Sequence, residues 1–299
     1  MVDTTDEWIV QRSGIRERRI AADGQPTSDL AIRAGLAALQ AGGFNPASID
    51  GVIVCTSTPD QTFPSVAVRV QAALHIPQGM AFDLQAVCSG FVYGLSVADS
   101  LIRTGAAKRI LLIGAEKMSS ILDWKDRGTC VLFGDGAGAV VLEADDSGKG
   151  TIEDRGILSS HMYADGRLSD ILYTSGGTST TGSSGKIVME GKEVFRHAVK
   201  YMSDVVEETL AQNALTPSQI DWLVPHQANA RIIEGTAKKL EMDMSRVVLT
   251  LDKHGNTSAA SIPLALAQAV NDGRIKRGHL VLFEALGAGL TWGAVLARF

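Results

Sequence analysis

No apolar run in this 299-residue chain approaches the ~20 residues that a membrane-spanning helix needs. The N-terminus, Met1-Val2-Asp3-Thr4-Thr5-Asp6-Glu7, is acidic and lacks the apolar core of a signal peptide, so we expect a cytoplasmic protein with no membrane partner. Cysteine is scarce. Cys55, Cys88 and Cys130 are too few and too scattered for a disulfide framework or a zinc site, which points to a reducing compartment and to no metal. Charge of one sign is not in excess either. A formal net charge of -5 gives no support to bulk nucleic-acid binding. What is there, 45% hydrophobic and 20% charged residues, is an ordinary globular composition, long enough for one large or two medium domains.

The chain repeats itself at an offset of about 170 residues. In residues 1–150, a helix from about Ser28 to Ala41 leads through Asn45-Pro46-Ala47-Ser48-Ile49-Asp50 into the strand Gly51 to Cys55. In residues 151–299, a helix from about Val194 to Gln212 leads through Thr216-Pro217-Ser218-Gln219-Ile220-Asp221 into Trp222-Leu223-Val224-Pro225-His226. Further on, the turn at Cys88, its helix and the strand Arg109 to Gly114 match the turn at Asn256, the helix Ala260 to Val270 and the strand His279 to Phe283. Each half closes on a glycine-rich turn and a strand: Gly134 to Leu142, then Leu286-Gly287-Ala288-Gly289 into Gly293 to Leu296. Strands and helices alternate and the strands are nearly continuous apolar runs. That pattern gives α/β layers with mainly parallel sheets covered by helices.

The repeat also exposes a gap. Lys186-Ile187-Val188-Met189-Glu190 reads as a strand opening the second half, whereas Met1 to Thr27 is polar and without a clear strand. The chain or its sheet is therefore expected to be short by one element, and a strand made from residues 1–25 would refute this.

Three segments end buried strands with reactive polar groups: Ala86-Val87-Cys88-Ser89-Gly90, Val224-Pro225-His226-Gln227-Ala228-Asn229 and His254-Gly255-Asn256-Thr257-Ser258. Met80 to Leu84 reads as a strand, and Phe91 to Arg103 carries apolar residues at helical spacing. Cys88 thus falls at a helix N-terminus, where unpaired N–H groups and the dipole favour a thiolate, and we expect its pKa to be lowered. A thiol, an imidazole and a carboxamide suit a nucleophilic enzyme acting on thioesters. Each has a plainer reading as a buried hydrophobe, a satisfied core histidine and a turn-shaping asparagine. His254 reads as supporting structure. Gly134-Asp135-Gly136-Ala137-Gly138 lacks the Lys-Ser/Thr of a phosphate-binding loop, and the tract Ser175 to Gly185 reads as a flexible loop.

These three motifs together resemble those of β-ketoacyl-acyl-carrier-protein synthase III, the initiating condensing enzyme of bacterial type II fatty-acid synthesis. The resemblance runs from Asp6-Glu7-Trp8-Ile9 to Thr291-Trp292-Gly293. It implies the thiolase fold, two βαβαβαββ halves in a five-layered α/β/α/β/α unit, as a homodimer. The first strand of each half is then expected inside its sheet, and the recorded start to be an internal methionine of a longer protein. The implied reaction needs no cofactor. Cys88 attacks an acyl-CoA, acetyl-CoA by default, and the acyl-enzyme then condenses with malonyl-acyl-carrier protein as CO2 leaves. Backbone N–H groups of Cys88 and Ala288 hold the oxyanion; alanine stands where a glycine is expected, but the backbone donor survives. His226 Nε2 and the Asn256 amide hold the thioester oxygen as the enolate forms.

By the same resemblance Trp8 and Arg127 sandwich the adenine of CoA, Arg12 lies near phosphate, and Asn229 joins this group. Phe63 reaches across the dimer to close the partner's acyl pocket, with Met189 and Phe195 lining the channel. Arg231, Lys238 and Lys239 share one helix face and, with Gln227, Ala228, Asn229 and Ala230, offer a dock for an acidic carrier protein. Several other readings compete. A thiolase needs a second cysteine near the C-terminus, and none follows Cys130. Elongating synthases use two histidines. A specialised polyketide or signal-molecule synthase shares Cys, His and Asn and stays open. A papain-like hydrolase lacks its signature here, and a non-catalytic carrier-binding homologue is disfavoured by the three reactive residues.

Overall fold

The computed structural model describes residues 2–299, and the expectation about Met1 lies outside them. Two four-stranded sheets form the frame. The first has the order β2 (Met80–Leu84), β1 (Gly51–Cys55), β3 (Arg109–Lys117), β4 (Asp135–Glu143), with β4 antiparallel to β3. The second has the order β5 (Gly156–Ala164), β10 (Thr291–Arg298), β9 (Leu280–Gly287), β8 (Trp222–Pro225). In the first sheet β1 is parallel to both β2 and β3, but in the second only the edge strand β8 runs parallel to its neighbour β9, β10 being antiparallel to β9 and to β5. The expectation of mainly parallel sheets therefore holds for the first sheet and is corrected for the second.

Helices α4 (Gly90–Arg103) and α9 (Ser261–Asn271) lie between the sheets, α2 (Thr27–Gly42) and α3 (Val66–Ala73) cover the first, and α6 (Gly191–Gln212) and α7 (Ala230–Lys239) cover the second. This is the five-layered α/β/α/β/α thiolase fold. Strand alternation shows why its strands read as unbroken apolar runs. Ile53 and Cys55 face the central layer while Val52 and Val54 face α2 and α3, and on β9 Val281 and Phe283 face inward while Leu280 and Leu282 face the outer helices. With both faces covered, no polar side of the strand remains.

Equivalent devices build the two halves. Pro46–Ser48 and Pro217–Gln219 each form a single 3-10 turn before a strand, and the aspartate that follows each clamps a neighbouring strand. Asp50 accepts from the N–H groups of Lys108 and Arg109 at 2.7 and 2.8 Å, and Asp221 from that of Leu280 at 2.7 Å. The entries to the two central helices match as well, through Val87 and Ser258, each at φ 49°. That left-handed region is costly for any side chain, most of all for β-branched valine.

Two further expectations are corrected. The strand opening the second half is β5, not residues 186–190. Ile187–Met189 is a strand (β7) but pairs with β6 (Leu172–Thr174) in a separate two-stranded sheet. Moreover β5 lies at the sheet's edge, bound only to β10, so the first strand of a half does not sit inside its sheet. In the first half the regular structure before α2 is α1 (Asp6–Ser13), and no strand forms among the described residues up to 25. The position beside β4 that corresponds to β5 beside β10 is thus empty in the described sheet.

Candidate active site

Cys88, His226 and Asn256 meet in one cavity of about 330 Å³ between the two halves. Its walls are largely apolar: Leu132, Phe133, Val194, Ala198, Met202 and Leu286 all line it. Trp8, Arg12 and Arg127 stand in the same lining, as do Met189, Phe195, Ala228 and Asn229. A largely apolar cavity with Arg12, Arg127 and Trp8 in its lining suits a long thioester with a phosphorylated end.

Each of the three polar groups is held by its local backbone. Cys88 sits in the 3-10 turn Val87–Ser89 that feeds α4. Gly287 of the opposite half packs onto that turn, where a Cβ would fall 2.8 Å from the Ala86 oxygen and from the Cys88 nitrogen, so only glycine allows the approach. The same contact brings the 287–289 turn beside the Cys88 backbone. Among the described residues the Ala288 N–H has no acceptor, which leaves it free for an oxyanion.

Asn256 is clamped on both sides. Its N–H donates to the Leu132 oxygen at 2.9 Å and its oxygen accepts from the Gly134 N–H at 3.0 Å. Arg18, from the stretch before α2, steadies the facing segment by donating to the carbonyls of Cys130 and Phe133. The carboxamide oxygen of Asn256 accepts from the Ser258 N–H at 2.9 Å. That bond fixes the flip and turns the NH2 group toward the cavity.

His226 follows the end of β8, its N–H held by the Glu284 carbonyl at 2.8 Å. It is buried, and burial pushes its imidazole down to about 3. Its Nδ1 is buried without a partner, so Nε2 is the nitrogen open to the cavity. This environment supports a neutral imidazole that presents Nε2 to the cavity.

The thiol departs from expectation. Burial first, then the Glu116 carboxylate, push Cys88 up to about 12, against the lowering from a Ser258 hydrogen bond. The helix N-terminus therefore does not leave a resting thiolate. Glu116 itself was missed in the sequence. It is the one charged residue in the inward run from Ile110 to Glu116, fully buried, and that break in an apolar strand was the available signal.

The remaining expected residues divide. Arg127 lies against Trp8, with its guanidinium 4.9 Å from the ring centre and one N–H donated to the Asp3 carbonyl, and Arg12 is 5.7 Å from the same ring. An adenine enters between Trp8 and Arg127 only if the arginine swings out. Asn229 caps α7 through its oxygen and donates to the Arg12 carbonyl at 3.2 Å, so its amide ties the mouth together. Gln227 is corrected as a docking residue. It is buried, donating to the Pro225 and Val248 carbonyls and accepting from the N–H groups of Thr250 and Leu251. On α7, Arg231 donates to the Gln11 carbonyl and Lys239 pairs with Asp204 at 2.7 Å, whereas Lys238 is exposed. Phe63 is 80% exposed and outside this chain's cavity lining.

Glu284 is buried with both carboxyl oxygens unpartnered, and burial pushes it up to about 8 from a usual 4.5. The folded chain thus keeps it protonated at pH 7 while the unfolded chain ionises it. Stability falls as pH rises from about 4.5 through about 8. Glu284→Gln is expected to raise stability by up to roughly 3 kcal/mol at pH 7 and to flatten this slope. Melting temperatures from pH 5 to 9 test it, and an unchanged slope would count against the assignment.

Two like halves in five layers, with a thiol-bearing turn of one and an imidazole and a carboxamide of the other lining one cavity, define a condensing enzyme of the thiolase fold, an acyltransferase. Family models described as 3-oxoacyl-[acyl-carrier-protein] synthase III and as its C-terminal part match residues 82–166 and 210–299. The chain belongs to this β-ketoacyl-acyl-carrier-protein synthase III family, the enzymes of the initiating condensation in fatty-acid synthesis. A relative of that name from Allorhizobium ampelinum is 60% identical over 299 residues, covering 100% of this chain and 92% of its own. Another, from Rhodospirillum centenum, is 61% identical with the same coverage. The crystal structure of 3-oxoacyl-[acyl-carrier-protein] synthase III from Aquifex aeolicus is 46% identical, with a TM-score of 0.93 over 100% of this chain and 92% of that one.

Proposed function

We propose that Cys88 is the acyl acceptor and that His226 and Asn256 form the decarboxylation site. The observation that carries this reading is the convergence of a buried thiol, an Nε2 open to the cavity and an outward carboxamide NH2 in one apolar chamber. An acyl-CoA enters past Trp8, Arg12 and Arg127, and Cys88 takes its acyl group, with the N–H groups of Cys88 and Ala288 on the oxyanion. Malonyl-acyl-carrier protein then binds, and loss of CO2 leaves an enolate whose oxygen accepts from His226 Nε2 and Asn256 Nδ2. Because decarboxylation supplies the carbanion, neutral donors suffice and no strong base is required. The enolate attacks the acyl group on Cys88 and releases 3-oxoacyl-carrier protein.

The halves 1–150 and 151–299 divide the work, the first supplying the nucleophile and the second the two donors. Among the described residues no group of three or more His, Cys, Asp or Glu could hold a metal ion, and no helix is long and apolar enough to cross a membrane. We place the enzyme in the cytoplasm as a homodimer. The exposure of Phe63 supports its insertion into the partner subunit's acyl pocket, beside Met189 and Phe195.

The test is a condensation assay with a panel of acyl-CoA primers and malonyl-carrier protein. Expected products are CO2, CoA and a 3-oxoacyl-carrier protein; hydrolysis without condensation would overturn the reading. The carrier is expected on the α7 face, at Ala228, Asn229, Ala230, Arg231, Lys238 and Lys239. Arg231 is tied to the Gln11 carbonyl and Lys239 to Asp204, whereas Lys238 is exposed with neither kind of partner among the described residues, so Lys238→Glu should raise the carrier-protein KM about tenfold and spare acyl transfer from CoA. An unchanged KM would remove the dock from this face.

A further inference from the structure

We propose that Glu116 is a positioning residue for Asn256, holding its carboxamide toward the cavity through Ser258. This rests on the reading of Asn256 as a donor to the enolate and adds what keeps that donor in place.

The second half meets β3 directly. A Cβ on Gly114 would run into the Ala259 carbonyl oxygen, and one on Gly90, at the start of α4, would meet the Ala259 Cβ at 3.3 Å. That approach seats the turn Ser258–Ala260 against β3, where Glu116 lies two residues beyond Gly114 and on the same face. The Ser258 hydroxyl donates to Glu116 Oε1 at 2.9 Å, and the Ser258 N–H donates to Asn256 Oδ1 at 2.9 Å. One residue thus ties the buried carboxylate of the first half to the carboxamide of the second.

Groups of fixed direction hold Glu116 as an anion. Its Oε2 accepts from Thr58 Oγ1 at 2.6 Å and from Thr56 Oγ1 at 3.2 Å. Those two hydroxyls themselves accept, from the N–H groups of Lys117 and Thr58 at 2.8 and 3.1 Å, so their protons point at the carboxylate. Oε1 accepts from Ser57 Oγ at 2.8 Å as well as from Ser258, and the Ser57 N–H lies 3.1 Å from both oxygens. The neighbouring Lys117 ammonium turns instead to the Gln25 carbonyl at 2.6 Å. A fully buried carboxylate held by neutral donors alone is costly. All of its donors but one come from the segment after β1, and the exception is Ser258, which crosses from the other half.

The backbone of Asn256 needs none of this, being clamped to Leu132 and Gly134. What that clamp leaves free is rotation of the side chain, and the Ser258 N–H fixes it. Ser258 is itself strained, at φ 49°, so a hydroxyl anchored in Glu116 opposes relaxation of the turn that carries this N–H.

Ser258→Ala keeps the N–H and cuts the tie to Glu116. It is expected to slow CO2 release from malonyl-carrier protein about tenfold, part of the ~10²–10³ that loss of a donor costs, while CoA release from acyl-CoA stays within about threefold. Glu116→Gln replaces a charged bond to Ser258 by a weaker neutral one and is expected to slow CO2 release less. Two double-mutant cycles, read in single turnovers, trace the path. Ser258→Ala should cost CO2 release nothing further once Asn256→Ala has removed the carboxamide, and Glu116→Gln nothing further once Ser258→Ala has removed the hydroxyl. Residues that only support the fold would multiply their losses in both cycles and slow CoA release as much as CO2 release. Either result overturns the proposal, as does unchanged CO2 release in Ser258→Ala. Should Glu116→Gln fail to fold, Glu116→Asp, which keeps the charge and shortens the reach, replaces it in the second cycle. Failure of the underlying reading has a different signature, CO2 release that persists undiminished in Asn256→Ala.

Discussion

Replacing Cys88 with alanine is expected to abolish covalent acylation by acyl-CoA, a loss on the order of 10⁴-fold or more, as removal of a nucleophile costs elsewhere. The fold should tolerate the change. Cys88 is buried in a turn whose shape is set by the backbone, and the substitution removes one sulfur atom from a site already open to a cavity. Ser258 keeps its bond to Glu116, so no buried charge loses a partner. Nothing on the decarboxylation side is touched either, because Asn256 is anchored to the segment 132–134 and to Ser258. Intact-protein mass spectrometry should therefore show acyl adducts on the wild type and none on the variant, which still releases CO2 from malonyl-carrier protein. Adducts on the alanine variant would move the nucleophile elsewhere. Cys55 and Cys130, both buried and both pushed up by burial, are poor substitutes.

Much of this arrangement could be read from the chain because its strands are covered on both faces. An apolar run such as Gly51 to Cys55, flanked by a proline turn and followed at a fixed offset by a second copy, has few other ways to fold. The three reactive residues were legible for a related reason, since polar groups at the ends of such strands fall where the two halves meet. What escaped was set by pairing. Gly156 to Ala164 alternates only weakly, being an edge strand with one neighbour, whereas Ile187 to Met189 looked stronger and joins a small separate sheet. The charge state of the thiol escaped for another reason. A helix N-terminus is visible in sequence, but what outweighs it, the burial of the thiol and the nearby Glu116 of β3, is set by how the two halves pack. Gln227 misled for the opposite reason. Its polarity looked available, yet four hydrogen bonds hold it inside.

Asn256→Ala is expected to separate the two half-reactions. In the proposed mechanism its NH2 group is one of two donors to the enolate oxygen, and loss of such a donor commonly lowers a rate by ~10²–10³. Acyl transfer to Cys88, for which we propose a different pair, the backbone N–H groups of Cys88 and Ala288, should persist. Alanine also deletes the bond from Asn256 Oδ1 to the Ser258 N–H, which holds the φ 49° turn, so a modest slowing of acylation is expected from that cause alone. Asn256→Asp separates the two effects. It keeps an oxygen for the Ser258 N–H but turns an acceptor and a negative charge toward the enolate, so decarboxylation should fall further than in the alanine variant while acylation recovers. The remaining donor does not compensate through pH. Burial lowers the His226 pKa from 6.5 to about 3, so the imidazole stays neutral in the fold and the residual decarboxylation should show no imidazole titration between pH 5 and 8. The measurements are the rate of CO2 release and the rate of CoA release in single turnovers of each variant. A variant that loses acylation and keeps decarboxylation would exchange the roles of the two turns, placing the oxyanion site at Asn256 and the enolate site beside Ala288.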